Sequence, residues 1–268
     1  MKHNDVFQKL TEEDFYSLTD AVRRIQNKSV TKSIADIAAR PFDKALDRLP
    51  KPIKRNFEKM TEKMVITCLD IAIVSTQKRG VKRRFRKSPR ILSAAVGGLS
   101  GMLGIAGLPV ELPITTYLIL RAITDIAQSN GEDLTAAETR IACIEIFALG
   151  MPTANNGQKI DYYSSRALFK KFSGDALKYF AERGLVRATS PLVGGFISET
   201  AARYSFFVSE RAAASAVPIA GAVGSAALNI LIMKYFQNIA FVHFTIRRLE
   251  RKYGQEVVQG HYEKLASG

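Results

Sequence analysis

The sequence predicts an all-α fold: a single helical domain in which amphipathic helices cover two Gly/Ala-rich apolar ones. Three observations carry this. Apolar residues recur at spacings of three and four along most of the chain. No series of alternating apolar–polar runs separated by hairpin turns occurs. Two charge-free stretches, Ile91–Val110 and Ala212–Met233, reach the roughly 20 residues that a central helix or a bilayer span requires.

The elements follow in order. Thr11-Glu12-Glu13-Asp14 opens a first helix, with Thr11 as N-cap, acids in the first turn, and Phe15, Leu18, Val22 and Ile25 as its apolar stripe. A second helix is expected over 30–49, bent at Pro41, before Pro50 and Pro52 break the chain. Residues 53–78 carry Ile53, Phe57, Met60, Met64, Cys68 and Ile71 at helical spacing, with Lys54, Arg55, Lys59 and Lys63 off that stripe. Ile91–Val110 contains Gly97, Gly98, Gly101, Gly104 and Gly107; so much glycine weakens an isolated helix and suits close packing against another. Pro113 fits the first position of a helix that Asn130-Gly131 stops, and a further helix over 136–149 ends at Gly150. A loop at 153–160, helices over 161–182 and 196–215, and a long helix from about Ala222 to Tyr253 complete the reading. The organisation expected is an N-terminal helical region, 1–52, continuous with a helical domain, 53–268.

Charge is unevenly placed. Of the net +14 of this 268-residue chain, residues 40–90 supply +11, from sixteen basic and five acidic side chains. Its densest part, KRGVKRRFRKSPR, holds Lys78, Arg79, Lys82, Arg83, Arg84, Arg86, Lys87 and Arg90 with no acid and only Val81 and Phe85 interleaved. Such a block suits an anionic partner. Nucleic acid is disfavoured, because Phe85 is the single stacking aromatic and no recognised binding motif surrounds it. Anionic lipid is favoured, because the block abuts the apolar run at Ile91. The positive-inside rule then puts this side in the cytoplasm, and the expected localisation is peripheral, on the inner face of the cell membrane. Two cysteines far apart form no disulfide framework, and the polar N-terminus MKHNDVFQKLTEEDF has no apolar core of a cleaved signal peptide.

Catalytic motifs are thin. His3, His243 and His261 show no metal-ligand spacing, so neither a metal nor another cofactor is expected. His243, in FVHFTI, reads as a core histidine and Cys143, in IACIEIF, as a small hydrophobe. There is no GxSxG, and the SxxK of Ser29–Lys32 is a spacing that chance supplies. The polar candidates are Glu111, Arg121, Asp125, Glu138, Arg140 and Glu145. Glu111, between Pro109 and Pro113, has two readings: a helix-start acid, or part of a polar cluster with Arg121, Asp125 and Glu145 beside an apolar pocket. In the second, Glu111, Asp125 or Glu145 would serve as acid or base in a lipid or peptide hydrolase.

Three stretches carry a resemblance. GLPVELPITTYLILRAITDIAQSNGEDLTAAETRIACIEIFALG (107–150), VPIAGAVGSAALNILIMKYFQNIAFVHFTIRRLERKYG (217–254) and LDRLPKPIKRNFEKMTEKM (46–64) resemble the EcsC protein family. The resemblance implies a bacterial helical protein. The family's founding member is associated with an ABC transporter linked to protein secretion, so an envelope or transporter protein is an implied partner. It implies no secure activity. The expectation is a non-enzymatic protein that binds anionic lipid or such a partner through its basic face.

Overall fold

The computed structural model describes residues 10–26, 51–79, 93, 108–149, 162–167 and 218–267. The expected helices over 30–49 and 196–215, the loop at 153–160, most of Ile91–Val110 and all but the start of the helix over 161–182 lie outside these. Among the described residues there is no strand, and the fold is all-α.

The helices are α1 (Glu12–Ile25), α2 (Lys51–Arg79), α3 (Leu108–Ser129), α4 (Ala137–Leu149), α5 (Pro218–Tyr253) and α6 (Gln255–Ser267). Residues 162–167 add a short helical segment. The Thr11 cap forms as the sequence dictates: the Asp14 amide donates to Thr11 Oγ1 at 3.3 Å, and Glu12, Glu13 and Asp14 fill the first turn. The buried face of α1 differs from the expected stripe. Phe15 is 43% exposed, while Asp14 is buried beside Leu18, Ala21, Val22 and Ile25. A carboxylate takes that place because α5 presents cations to it.

Two prolines were expected to lie differently. Pro52 does not break the chain; it occupies the second position of α2. Pro113 does not start α3, which begins five residues earlier at Leu108, so that Pro109 holds the second position and Pro113 lies inside the helix. Pro52 and Pro109, each second in its helix, are tolerated for one reason. The first four amides of a helix have no intrahelical acceptor, so a proline there removes no bond. Gly131 ends α3 with φ +76°, and the Glu132 amide returns to the Ala127 carbonyl at 3.1 Å, closing the helix end as the Asn130-Gly131 pair predicts.

The packing centres on α5. Helix α1 runs antiparallel to it, with Asp14 at Arg248 and Arg24 stacked 4.2 Å from the Phe241 ring. Helix α3 runs alongside it in the same sense, with Glu111 at Asn229 and Glu132 at Arg247. Helix α2 lies against α3, its most extensive partner. Val65, Cys68, Leu69, Ala72, Ile73 and Thr76 form the buried face of α2. Ile71, expected on that face, is 53% exposed: the buried stripe follows 65, 69, 72 and 76, and position 71 falls on its far side. Phe147 of α4 meets Phe236 of α5 edge to face, centroids 4.9 Å apart. The long final helix begins at Pro218, four residues before the expected start, and so takes in residues 218–233 of the second apolar run. It does not end the fold. Gly254, at φ +87°, turns the chain into α6, a helix that the sequence reading missed. Among the described residues no helix is long and apolar enough to cross a membrane.

Candidate functional site

Two kinds of polar arrangement occur. The first lies inside the helix packing. Arg121 of α3 is buried and donates to Ser75 Oγ (3.1 Å, from Nε), to Thr76 Oγ1 and to Asp125 Oδ1, both from Nη1. Thr76 and Thr124 share a hydroxyl bond of 2.7 Å, and Tyr117 donates to Ser75. This seam locks α2 to α3, and it realises the expected i, i+4 pairing of Arg121 with Asp125.

Glu111 is 1% exposed and sits in the first turn of α3, where the helix N-terminus favours an anion. Its Oε1 accepts from Asn229 Nδ2 at 2.9 Å, and the same amide donates to the Ser93 carbonyl at 3.2 Å. Asn229 is the lone amide inside an otherwise charge-free run, a signal the sequence held and the reading did not use. The acid between two prolines thus lies in the first turn of α3 and bonds that helix to α5.

Glu145 of α4 faces His243 of α5, Oε2 to Nε2 at 3.9 Å. His243 is fully buried, and Tyr162 bonds its Nδ1 at 2.9 Å. Burial holds the imidazole pKa well below the usual 6.5, and Arg247 and Arg166 add to this. Burial thus disfavours the charged imidazole in its contact with Glu145. Burial likewise raises the Tyr162 phenol and keeps it protonated. Arg140 pairs with Asp70 of α2, and Glu138 is exposed. Of the six polar candidates, the structure brings Arg121 and Asp125 together and gives Glu111, Arg140 and Glu145 partners on other helices.

Sequence reasoning missed the strongest ion-pair centres. Glu132 accepts from Arg247 Nε and Nη2 at 2.9 and 3.1 Å, from Arg251 and from Thr139 Oγ1. Burial pushes its carboxyl pKa up, but the bonds and charges of Arg247 and Arg251 outweigh this and hold it low. Asp14 accepts from Arg248, Lys252 and Tyr253, and is held low against the effect of burial by Lys252, Tyr253 and Thr11. Glu250 receives both contacts of Arg166 Nη1 at 2.8 Å and the Tyr163 hydroxyl. Glu132 lies in GEDL and Asp14 in the first turn of α1, with their cations in RRLERK; Glu250 lies in RRLERK and its cation, Arg166, 84 residues earlier, so nothing local in the sequence links the partners.

The second arrangement is on the surface. The outer face of α2 carries an open groove of about 490 Å³ whose lining includes Asp70, Ile71, Val74, Ser75 and Lys78. Ile71 and Val74 are about half exposed. Lys78 is exposed one residue before α2 ends, where the basic run 78–90 begins. The remaining basic candidates, Lys82 to Arg90, lie outside the described residues. None of the three candidate catalytic carboxylates is among the residues lining the groove. Among the described residues no group of histidines, cysteines and carboxylates is arranged to hold a metal ion. Cys143 and Cys68 are buried, which pushes the Cys68 thiol up to about 11 and Cys143 higher, far from the pKa of a nucleophilic thiol.

Among the described residues these features define a helical protein in which Asp14, Glu132 and Glu250 are closed into ion pairs between distant parts of the chain and in which one surface helix, α2, exposes an apolar edge. The chain belongs to the EcsC protein family, whose model matches residues 13–249. No curated protein and no solved structure matches it.

Proposed function

We propose that the protein is a non-enzymatic, membrane-associated member of its family. It docks on the anionic inner face of a bacterial cell membrane, where an envelope or secretion-linked transporter protein is its partner. The observation that carries this reading is the pairing of exposed Ile71 and Val74 with the basic run that starts at Lys78. Stable peripheral binding takes two signals, apolar contact and cationic attraction, and both converge at this end of α2. Each Lys or Arg near an anionic leaflet contributes about 1 kcal/mol, so eight of them outweigh the entropy of docking even when salt screens part of the effect.

The competing reading, a lipid or peptide hydrolase, has less support. Asp125 is engaged by Arg121, Glu111 is buried against Asn229, and Glu145 faces the buried His243. A general acid or base needs a face open to substrate.

Flotation with liposomes tests the proposal. Vesicles rich in phosphatidylglycerol should carry the protein and phosphatidylcholine vesicles should not, with binding falling steeply as salt rises. Replacing Lys82, Arg83, Arg84, Arg86 and Lys87 by Gln should abolish flotation while circular dichroism stays unchanged. Full binding by that variant would sink the proposal.

A further inference from the structure

We propose that the groove on the outer face of α2 holds one acyl chain of a single anionic phospholipid, with the lipid phosphate on Lys78. This rests on the membrane-docking reading and gives it a stoichiometric site. Residues 70, 74 and 78, with 71 and 75, recur at helical spacing and share one face of α2. From Asp70 to Lys78 that face extends about 12 Å along the helix.

The polarity of the lining decides the ligand. Asp70 brings no free charge, because Arg140 pairs with it. Ser75 already accepts from both Tyr117 and Arg121. Ile71 and Val74 are left as an apolar floor, 53% and 50% exposed. Lys78 has no ion pair among the described residues and stands at one end. Among the described lining residues, an apolar floor with one unpaired cation at its end is complementary to an amphiphile with one anionic end. A small inorganic anion makes no use of the floor, and a neutral hydrocarbon makes no use of the lysine. The volume of about 490 Å³ falls in the roughly 300–1,000 Å³ range of small-ligand clefts.

The chain contains no tryptophan, so a single introduced indole reports without background. Val74→Trp is the first reporter and Ile71→Trp the second, in case a ring at one position fills the groove; both positions are half exposed. Each is titrated with monomeric lysophosphatidylglycerol, with lysophosphatidylcholine, and with phosphatidylglycerol vesicles, its fold checked by circular dichroism. The expected result is a blue shift that saturates at one lysophosphatidylglycerol per chain. Lysophosphatidylcholine should bind about fivefold more weakly, and Lys78→Gln should reduce lysophosphatidylglycerol to that same level, the equivalent of one lysine at an anionic surface. Silence of both reporters while the protein still floats with anionic vesicles would overturn the groove and leave surface docking standing. A saturating shift without flotation would keep the groove and remove surface docking. Equal affinity for the two lysolipids, unmoved by Lys78→Gln, would overturn the role of the lysine.

Discussion

The C-terminal end of α5 and the outer face of α2 use charge in opposite ways. At the end of α5, Asp14, Glu132 and Glu250 each receive two or more donors from Arg, Lys or Tyr. On α2, Lys78 stands without an ion pair among the described residues, beside two exposed apolar side chains. The same residue types therefore do two jobs. Cations of α5 are consumed in holding helices together, whereas Lys78, at the end of α2, is exposed and carries no ion pair among the described residues. Net charge alone does not distinguish them, since Arg247, Arg248, Arg251 and Lys252 look as basic in sequence as the run at 82–87.

The comparison can be broken hardest at Glu132. Glu132→Gln leaves Arg247 facing a neutral amide in a mostly buried site, and urea denaturation should show a loss of about 3 kcal/mol, the low end for a broken buried pair because Arg251 is partly exposed. Asp14→Asn removes the negative charge and one of the two oxygens that accept from Arg248, Lys252 and Tyr253, and should cost about 2 kcal/mol, with early hydrogen exchange confined to α1.

Tyr162→Phe comes next, at about 1 kcal/mol, because it removes the bond to the buried His243 Nδ1. Its neighbour sets a pH signature. The folded protein holds His243 neutral well below 6.5, while the unfolded chain takes up the proton there. That contribution to stability is complete above pH 6.5 and shrinks as pH falls below it. Glu132 and Asp14 have folded pKa values below 4.5 and 3.8, so theirs is complete above about pH 4.5 and lost as pH falls further. Denaturation curves across pH should therefore show two declines. His243→Phe flattens the upper one, and Glu132→Gln the lower. A single decline that His243→Phe leaves untouched would contradict the buried neutral histidine.

The smallest stability effect belongs to α2. Lys78→Gln and Ile71→Ser should each change unfolding free energy by less than about 0.5 kcal/mol, as surface substitutions do. A loss above 1 kcal/mol would show that these side chains belong to the architecture and erase the contrast.

What the sequence disclosed follows the range of the interactions. The Thr11 cap, the Gly131 stop and the helix over 137–149 are local features, and they stand where the residues place them. Prolines misled because Pro serves both as breaker and as first-turn residue, and Pro52 and Pro109 take the second role. Helix α6 was missed because its Val258 and Tyr262 bury against elements far away in the chain, while Gly254 and Gly260 make its local pattern weak. The polar candidates were visible as oddities in apolar helices. Their partners were not, since Ser75, Thr76, Asn229 and His243 lie dozens of residues from them.

The position of α1 has a consequence for synthesis. Its cap and buried acid engage Arg248, Lys252 and Tyr253, and Gln26 donates to the Ala266 carbonyl at 2.9 Å. These partners leave the ribosome more than 230 residues after α1 does. At about 5–20 residues per second, the first helix waits ten seconds or longer beside a growing chain. Throughout that interval Leu18, Val22 and Ile25 lack their permanent cover, so α1 stays open to a chaperone until the two C-terminal helices arrive.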